Sequence, residues 1–549
     1  MLKLITTALI AVYLLMKIVA LAKNYSRARR SGFPVYISPV PSENIVWMVT
    51  APILLRYLKN YLPQGIYDRL DVTLHGWEFR QNGAIFRRVA KTFMLVTPDE
   101  VSFWSADPAL GKAVLQRRKD FPVPPSVAQF MGIFGSNLLQ TNGDEWQRQR
   151  RIIAPNLNER ISAVVWKTSC EQAQSMRTYM LQNPGNEVLS GLRCLAINVL
   201  GRASYGQHAA WTPQLQDSVD ESVDARESYF KTVAMVAEKL IFAALVPTWM
   251  LKLPVCPAAF RSLGNHIEKM PSYTKQVLEK ERKMAADGFS TNDNILSMLV
   301  RFSDQAKQSE TKASGPSLSL TEDEISGNLF IVSTAGYDTT AHTMGYAVIL
   351  LAVYPEWQEW MREEMSGLDS NVSQWKYEEV FSKCPRTLAV MHETLRLFTP
   401  VLHSLRYVPE SQQLVSSDKE VHLLKGPMSV YVSTHSIHAD PEIWGPDAWE
   451  FKPSRWIGSD GEVITPPSGT FLPWSGGPKG CPGIKISQVE FVAAFLTLFH
   501  SSRCEPLAAE GENMEDKRAE LKELLKEAVS QVTLTVKDHA SVKLRWVTA

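Results

Sequence analysis

Cysteine is scarce: six in 549 residues, at 170, 194, 256, 384, 481 and 504, with no C-x-x-C pair and no histidines at zinc-ligand spacing. That excludes a disulfide framework and a structural zinc site. An excess of charge of one sign is also missing. Lysine and arginine total 58 against 57 acidic residues, a net charge of +1, so no nucleic acid and no polyacidic substrate is expected as a partner. There is no internal repeat. Length alone, at roughly 150 residues per domain, would suggest several domains.

What the chain does have begins at its N-terminus. Leu4 to Ala22 is an apolar run just long enough to span a bilayer. Its one charge, Lys17, lies near the helix end, where its stem can snorkel. Lys23, Arg27, Arg29 and Arg30 follow the run and only Lys3 precedes it, so the positive-inside bias puts the rest of the chain in the cytoplasm. Residues 1–30 are therefore read as a single-pass signal anchor with a basic flank. A competing reading is a cleavable signal peptide, because Ala20-Leu21-Ala22 resembles a cleavage site. After it "SGFPVYISPVPSE" reads as a stiff, non-helical hinge; residues 31–57 are taken as a proline-rich hinge and 58–549 as the catalytic domain.

Beyond Leu58 long helical stretches outweigh short strand-like runs such as "AIFRRVAKTFMLVTP" and "HLLKGPMSVYVST". The most helical portion runs from Thr321 to Val353, with Thr321 and Glu324 as a capping box and Pro355 closing it. Before it, "DQAKQSETKASGPSLS" reads as a polar surface loop. Further helices are expected over Pro385–Leu397 and from Cys481 through Phe499. The apolar segment Lys239 to Val255 reads either as core or as a dip into the membrane beside the anchor.

Four clusters carry chemistry. In "STAGYDTTAHT", Ala335, Gly336, Thr339, Thr340 and Thr343 share one helix face; they form either a polar notch or a set of hydroxyls bonded to carbonyls one turn back, with Gly336 permitting a close helix contact. In "HETLRL", Glu393 and Arg396 stand three apart, and "EFKPSRW" adds Arg455; such a pair is either a solvated surface pair or part of a buried lock. In "GDEWQRQRR", Trp146 and Arg150 face the same way, suited to grasping a carboxylate, unless they mark only a basic solvated face. Finally "PWSGGPKGCPG", Pro473 to Gly483, surrounds one cysteine with backbone constraint. A lone cysteine is usually inert, but glycine and proline bends let several N–H groups converge on one sulfur, as a thiolate metal ligand requires.

These motifs, in this order and spacing, resemble the cytochromes P-450: "WSGGPKGCPG" their haem-binding signature, "AGYDTT" their oxygen-activation motif and "HETLR" their E-x-x-R motif. Trp474 and Lys479 replace the usual Phe and Arg of the signature, Ser454 stands where Glu is frequent, and Ser487 where Ala is common. The resemblance implies a mainly α fold with a small β-rich portion, preceded by one transmembrane helix. It implies haem b with Cys481 as axial ligand, cradled by Trp474, Gly477 and Gly483, with Trp146, Arg150, Arg406 and Lys479 on the propionates. Glu393, Arg396 and Arg455 would form a structural triad. Gly336 would leave room for dioxygen, while Asp338 and Thr339 deliver protons. Residues between Phe121 and Phe134, with Val401 and Leu402, would line the pocket for an apolar small-molecule substrate. The implied activity is a monooxygenase of the endoplasmic reticulum, resembling filamentous-fungal members of secondary metabolism, taking electrons from NADPH-cytochrome P-450 reductase with cytochrome b5 as an optional second donor. The rivals are a haem-thiolate isomerase or dehydratase without O2, and a non-catalytic membrane-anchored haem or lipid-binding protein.

Overall fold

The computed structural model describes residues 2–549 except 42–44, 215–228, 230–231, 234, 237–238, 288–293, 311–318 and 531. Helices dominate. The longest is Glu322–Val353, started by the expected capping box: Thr321 accepts from the Glu324 N–H, and the Glu324 carboxylate accepts from the Thr321 N–H. Its interior is apolar nearly all round, as in a helix packed largely inside a core. Glu159–Gln182, Val188–Tyr205 and Ile484–Phe499 pack with it into one apolar core.

A second core lies under a five-stranded sheet. Its strands are β1 (Val35–Ile37), β2 (Thr92–Val96), β3 (Val101–Ser105), β7 (Met428–Ser433) and β4 (His403–Val408), in that order. β1 runs parallel to β2 and β3 parallel to β7, while β2/β3 and β4/β7 are antiparallel. Three two-stranded ribbons complete the β portion: β5 (Gln412–Val415) with β6 (Val421–Leu424), β9 (Ala528–Ser530) with β10 (Leu534–Val536), and β8 (Ser502–Pro506) with β11 (Leu544–Thr548). The architecture is mainly helical with a small sheet portion, as expected.

Several local expectations change. The proline-rich stretch after the first helix is not only a linker: 35–37 form β1 at the sheet edge, and Ile45–Leu58 is a helix. "AIFRRVAKTFMLVTP" is not one strand, because Ala84–Arg88 is helical before β2 begins. The polar stretch 304–319 stays helical through Glu310, and 311–318 lie outside the described residues. Within 239–255 two short helices bury Leu240 and Leu251 but leave Phe242, Trp249, Met250, Leu253 and Val255 exposed, so most of this apolar segment is not core.

The apolar N-terminal run is one helix, Leu2–Arg29, and it meets the length and hydropathy of a membrane span from Ile5. Its second half leans on the sheet. Leu21, Tyr25 and Ala28 pack into the sheet core, Lys17 pairs with Asp99 at 2.6 Å, and Arg27 donates to the carbonyl of Pro427.

Candidate functional site

Cys481 sits between a single 3-10 turn, Gly477–Lys479, and the helix Ile484–Phe499. Gly477 has φ +65°, and a side chain there would overlap the Leu115 carbonyl, so only glycine closes this turn. The Gly480 N–H then reaches the Gly477 carbonyl, and the Cys481 N–H the Trp474 carbonyl at 2.9 Å. The sulfur is packed round by protein yet keeps accessible surface, so what it exposes is interior space. Burial raises its pKa, while the Gly483 N–H and the Arg150 guanidinium pull it back. A Cβ on Gly483 would lie 3.8 Å from the sulfur. Two departures from the family signature account for each other: the Trp474 indole N–H donates to the Ser487 hydroxyl at 3.2 Å.

Around this loop stand cations without counterions. Arg150, on Gly143–Ile153, donates to the Gly480 carbonyl at 3.0 Å. Lys479 donates to the Thr141 carbonyl, and its ammonium lies 5.0 Å from the Trp146 ring centre, with Arg118 at 4.9 Å. Arg406, on β4, is 7% exposed; its Nη1 bonds the Leu405 carbonyl, and its Nε is buried without a partner. Burial holds Arg406 down to about 10. Burial and the charges of Arg406, Arg118 and Arg150 bring Lys479 down to about 7. Among the described residues none of these four has a carboxylate partner. Trp146, Arg150, Arg406 and Lys479 are thus brought together. Arg118 was missed, because "QRRKD" reads as a solvated charge run.

Glu393 and Arg396 are fully buried, and the lock is real. Arg396 forks onto the carboxylate with two bonds of 2.8 Å. Arg455 Nε, Trp456 Nε1 and the Lys452 N–H each donate to the same carboxylate at 2.9 Å. The remaining Arg396 donors take the carbonyls of His438, Ala448 and Glu450.

On the long helix the threonines back-bond: Thr339 to the Ala335 carbonyl at 2.9 Å, Thr340 to Gly336, Thr343 to Thr339. Ala335 is exposed and Thr339 half-buried, whereas Thr340 and Thr343 are buried, so the open face is narrower than the shared spacing suggests. A Cβ on Gly336 would meet both methyls of Leu200 at 3.1 Å, so its missing side chain permits a close helix contact. Asp338 accepts from the Thr533 hydroxyl at 2.6 Å.

Of the expected pocket residues, Phe121 and Leu402 are buried in the two cores, while Val401 is exposed. Ala128 and Gly132–Ser136 instead line an open cleft of about 480 Å³ with Pro271, Thr274, Asp323 and Ser326.

A set of cations that shares no carboxylate calls for an anion from outside the chain, and a backbone-cradled thiol calls for a metal. This interior is therefore that of a protein holding an anionic, metal-bearing prosthetic group. Residues 80–531 match the family model described as cytochrome P-450, and the chain belongs to that family. A cytochrome P-450 monooxygenase of the phomenoic acid biosynthesis cluster of Leptosphaeria maculans is 29% identical over 543 residues, 89% of this chain and 90% of that one. One from Arthrobotrys oligospora is 27% identical over 98% and 97% of the two chains, and one from Penicillium roqueforti 24% identical over 89% of each. The crystal structure of a cytochrome P-450 superposes with a TM-score of 0.65 at 17% identity, covering 86% of this chain and 98% of that one, which shows the fold. The protein is accordingly an oxidoreductase of the monooxygenase type, with haem held by a cysteine thiolate, a small-molecule substrate, dioxygen and a redox partner.

Proposed function

We propose that Cys481 is the thiolate ligand of haem b and that the enzyme inserts one oxygen atom into an apolar small molecule of fungal secondary metabolism. The observation that carries this reading is the cysteine loop facing interior space beside cations with no partner in the chain. Haem supplies the oxygen chemistry when bound. The protein's residues hold it and manage protons: Gly483 N–H and Arg150 stabilise negative charge on Cys481, and Arg118, Arg150, Arg406 and Lys479 offer cations to two propionates with Trp146 beneath them. On the opposite wall we assign Thr339 the task of holding a water and Asp338 that of supplying its proton. The half-buried Thr339, one turn beyond exposed Ala335, and the buried Thr340 support this register. Thr339→Ala is expected to retain haem and substrate binding while releasing several-fold more of the consumed NADPH electrons as hydrogen peroxide, a loss typical of a removed proton-transfer group. Thr340→Ala serves as the control; if it uncouples the enzyme and Thr339→Ala does not, the register fails.

Lys479 gives a pH-dependent test. In the protein alone its pKa is about 7 against an ordinary 10.5. Between those values the unfolded chain carries a proton the folded one lacks, so folded-state stability falls as pH drops through that window. A propionate beside the ammonium would favour its protonated form. Haem binding to the haem-free protein near pH 8.5 would then combine uptake of about one proton at Lys479 with release of about one from the Cys481 thiol, whose pKa burial raises, so the net change, read by calorimetry in buffers of different ionisation enthalpy, is expected to be small. Lys479→Arg should keep haem and release about one proton more than the wild type. Equal proton exchange by both proteins would remove Lys479 from the propionate site.

We further propose that the N-terminal helix anchors the enzyme in the endoplasmic reticulum with its catalytic domain cytoplasmic, reduced by NADPH-cytochrome P-450 reductase and by cytochrome b5. The exposed apolar side chains of 242–255 would rest on the same membrane. Protease added to sealed microsomes should then degrade the domain; its protection would reverse the topology.

A further inference from the structure

Asp338 does not end at the long helix. Its Oδ2 accepts from the Thr533 hydroxyl at 2.6 Å, and that same hydroxyl oxygen lies 2.9 Å from Nδ1 of His342, one helical turn beyond Asp338. Thr533 stands just before β10, in a ribbon remote in sequence, so folding brings the three side chains together.

A hydroxyl has one proton. Since Thr533 gives it to the Asp338 carboxylate, its bond to His342 is one in which the ring donates, and Nδ1 carries hydrogen. The result is a directed line, His342 Nδ1–H to Thr533 Oγ1–H to Asp338 Oδ2. His342 keeps 17% of its side-chain surface and Asp338 22%, so both ends retain some contact with open space. The direct His342 to Asp338 distance of 3.7 Å is too long for a hydrogen bond, which leaves the hydroxyl as the bridge. The groups around His342 are few: Asp338 on its own helix, Arg193 from Val188–Tyr205, whose guanidinium lies over Tyr337 at 5.7 Å, and His539, exposed in the turn after β10.

We propose that Thr533 and His342 form the proton supply line of Asp338, and so act as positioning residues for the oxygen chemistry. This rests on the role given above to Asp338 and Thr339. The step balances without any change in electrons. A solvent proton adds at His342 Nε2; the Nδ1–H bond breaks as its proton passes to Thr533 Oγ1; the hydroxyl's own proton passes to Asp338 Oδ2, replacing the one Asp338 has given up. The ring is left neutral with its hydrogen on Nε2, and exchange with water restores the Nδ1–H form. Burial, opposed by Asp338 and reinforced by Arg193 and His539, keeps His342 below the ordinary histidine pKa. Its resting form is thus neutral, and the charged form is a transient carrier.

Two measurements test this. In the ferrous carbonyl enzyme, which is diamagnetic, nitrogen NMR of labelled histidine, assigned with His342→Gln, should show the Nδ1–H tautomer, and Thr533→Val should shift it toward Nε2–H. A wild-type Nε2–H ring would overturn the proposal whatever the enzyme does. Second, with a flavoprotein reductase, NADPH and no added substrate, the ratio of hydrogen peroxide released to NADPH consumed should rise at least about twofold in Thr533→Val and His342→Gln, and return to the wild-type value in Thr533→Ser. The wild-type ratio should vary with pH below the ordinary histidine pKa, in the direction of the lowered His342, and His342→Gln should flatten that variation. If Thr533→Ser behaves like Thr533→Val, the hydroxyl acts only by filling space and the line is refuted. If Thr339→Ala raises the ratio and neither new variant does, the line fails while the role of Asp338 and Thr339 stands. If none of them raises it, that role falls as well.

Discussion

Glu393→Ala is expected to cost about 3–5 kcal/mol, because it strands a fully buried guanidinium. One carboxylate accepts from Arg396 twice, from Arg455, from Trp456 and from the Lys452 backbone. Removing it leaves all of those donors unpaired, in a protein whose total stability is on the order of 5–15 kcal/mol. The lock ties the helix Pro385–Leu397 to the segment 447–456, which leads on to the cysteine loop, so lost stability should appear also as lost haem. Denaturant unfolding and haem content per protein are the measurements. Glu393→Gln, which keeps shape and some acceptors, should fall between. An alanine variant within about 0.5 kcal/mol of wild type, the range of ordinary surface changes, would show that the lock is not a source of stability.

Cys481→Ala is expected to abolish the red-shifted Soret band of the ferrous carbonyl complex altogether. Cys170, Cys384 and Cys504 are not ready substitutes. Burial pushes Cys170 and Cys384 up to about 12 and Cys504 well above its ordinary value, with no cradle of N–H groups to oppose it. At Cys481 the same rise is countered by Gly483 and Arg150. A surviving band in the alanine variant would require a different ligand and would end the assignment.

The features most legible in the sequence were those set by local chemistry. Thr321 and Glu324 announce a helix start because a capping box needs nothing beyond four residues. The glycines before Cys481 announce a tight turn for the same reason. Glu393 with Arg396 was readable as a pair, but its burial depended on Arg455 and Trp456 arriving from about sixty residues away. What could not be read was set by tertiary partners. Arg118 looks like any surface arginine until Trp146 and Lys479 are folded against it. The close packing of Gly336 on Leu200 was not legible either, because that partner comes from another helix. Residues 35–37 looked like hinge because a three-residue strand has no pattern of its own; β2 supplies the register. Apolar residues at 242–255 mimic core, since hydropathy alone does not distinguish a buried side chain from one turned outward.

The Trp474–Ser487 bond makes the two positions unequal. Ser487 also donates to the Ile484 carbonyl, so its hydroxyl keeps a partner even when residue 474 is changed to phenylalanine. Ser487→Ala would instead take from the half-buried Trp474 indole N–H its acceptor in the protein. Trp474→Phe is therefore expected to be the milder of the two single changes, and the serine the position on which the tryptophan depends.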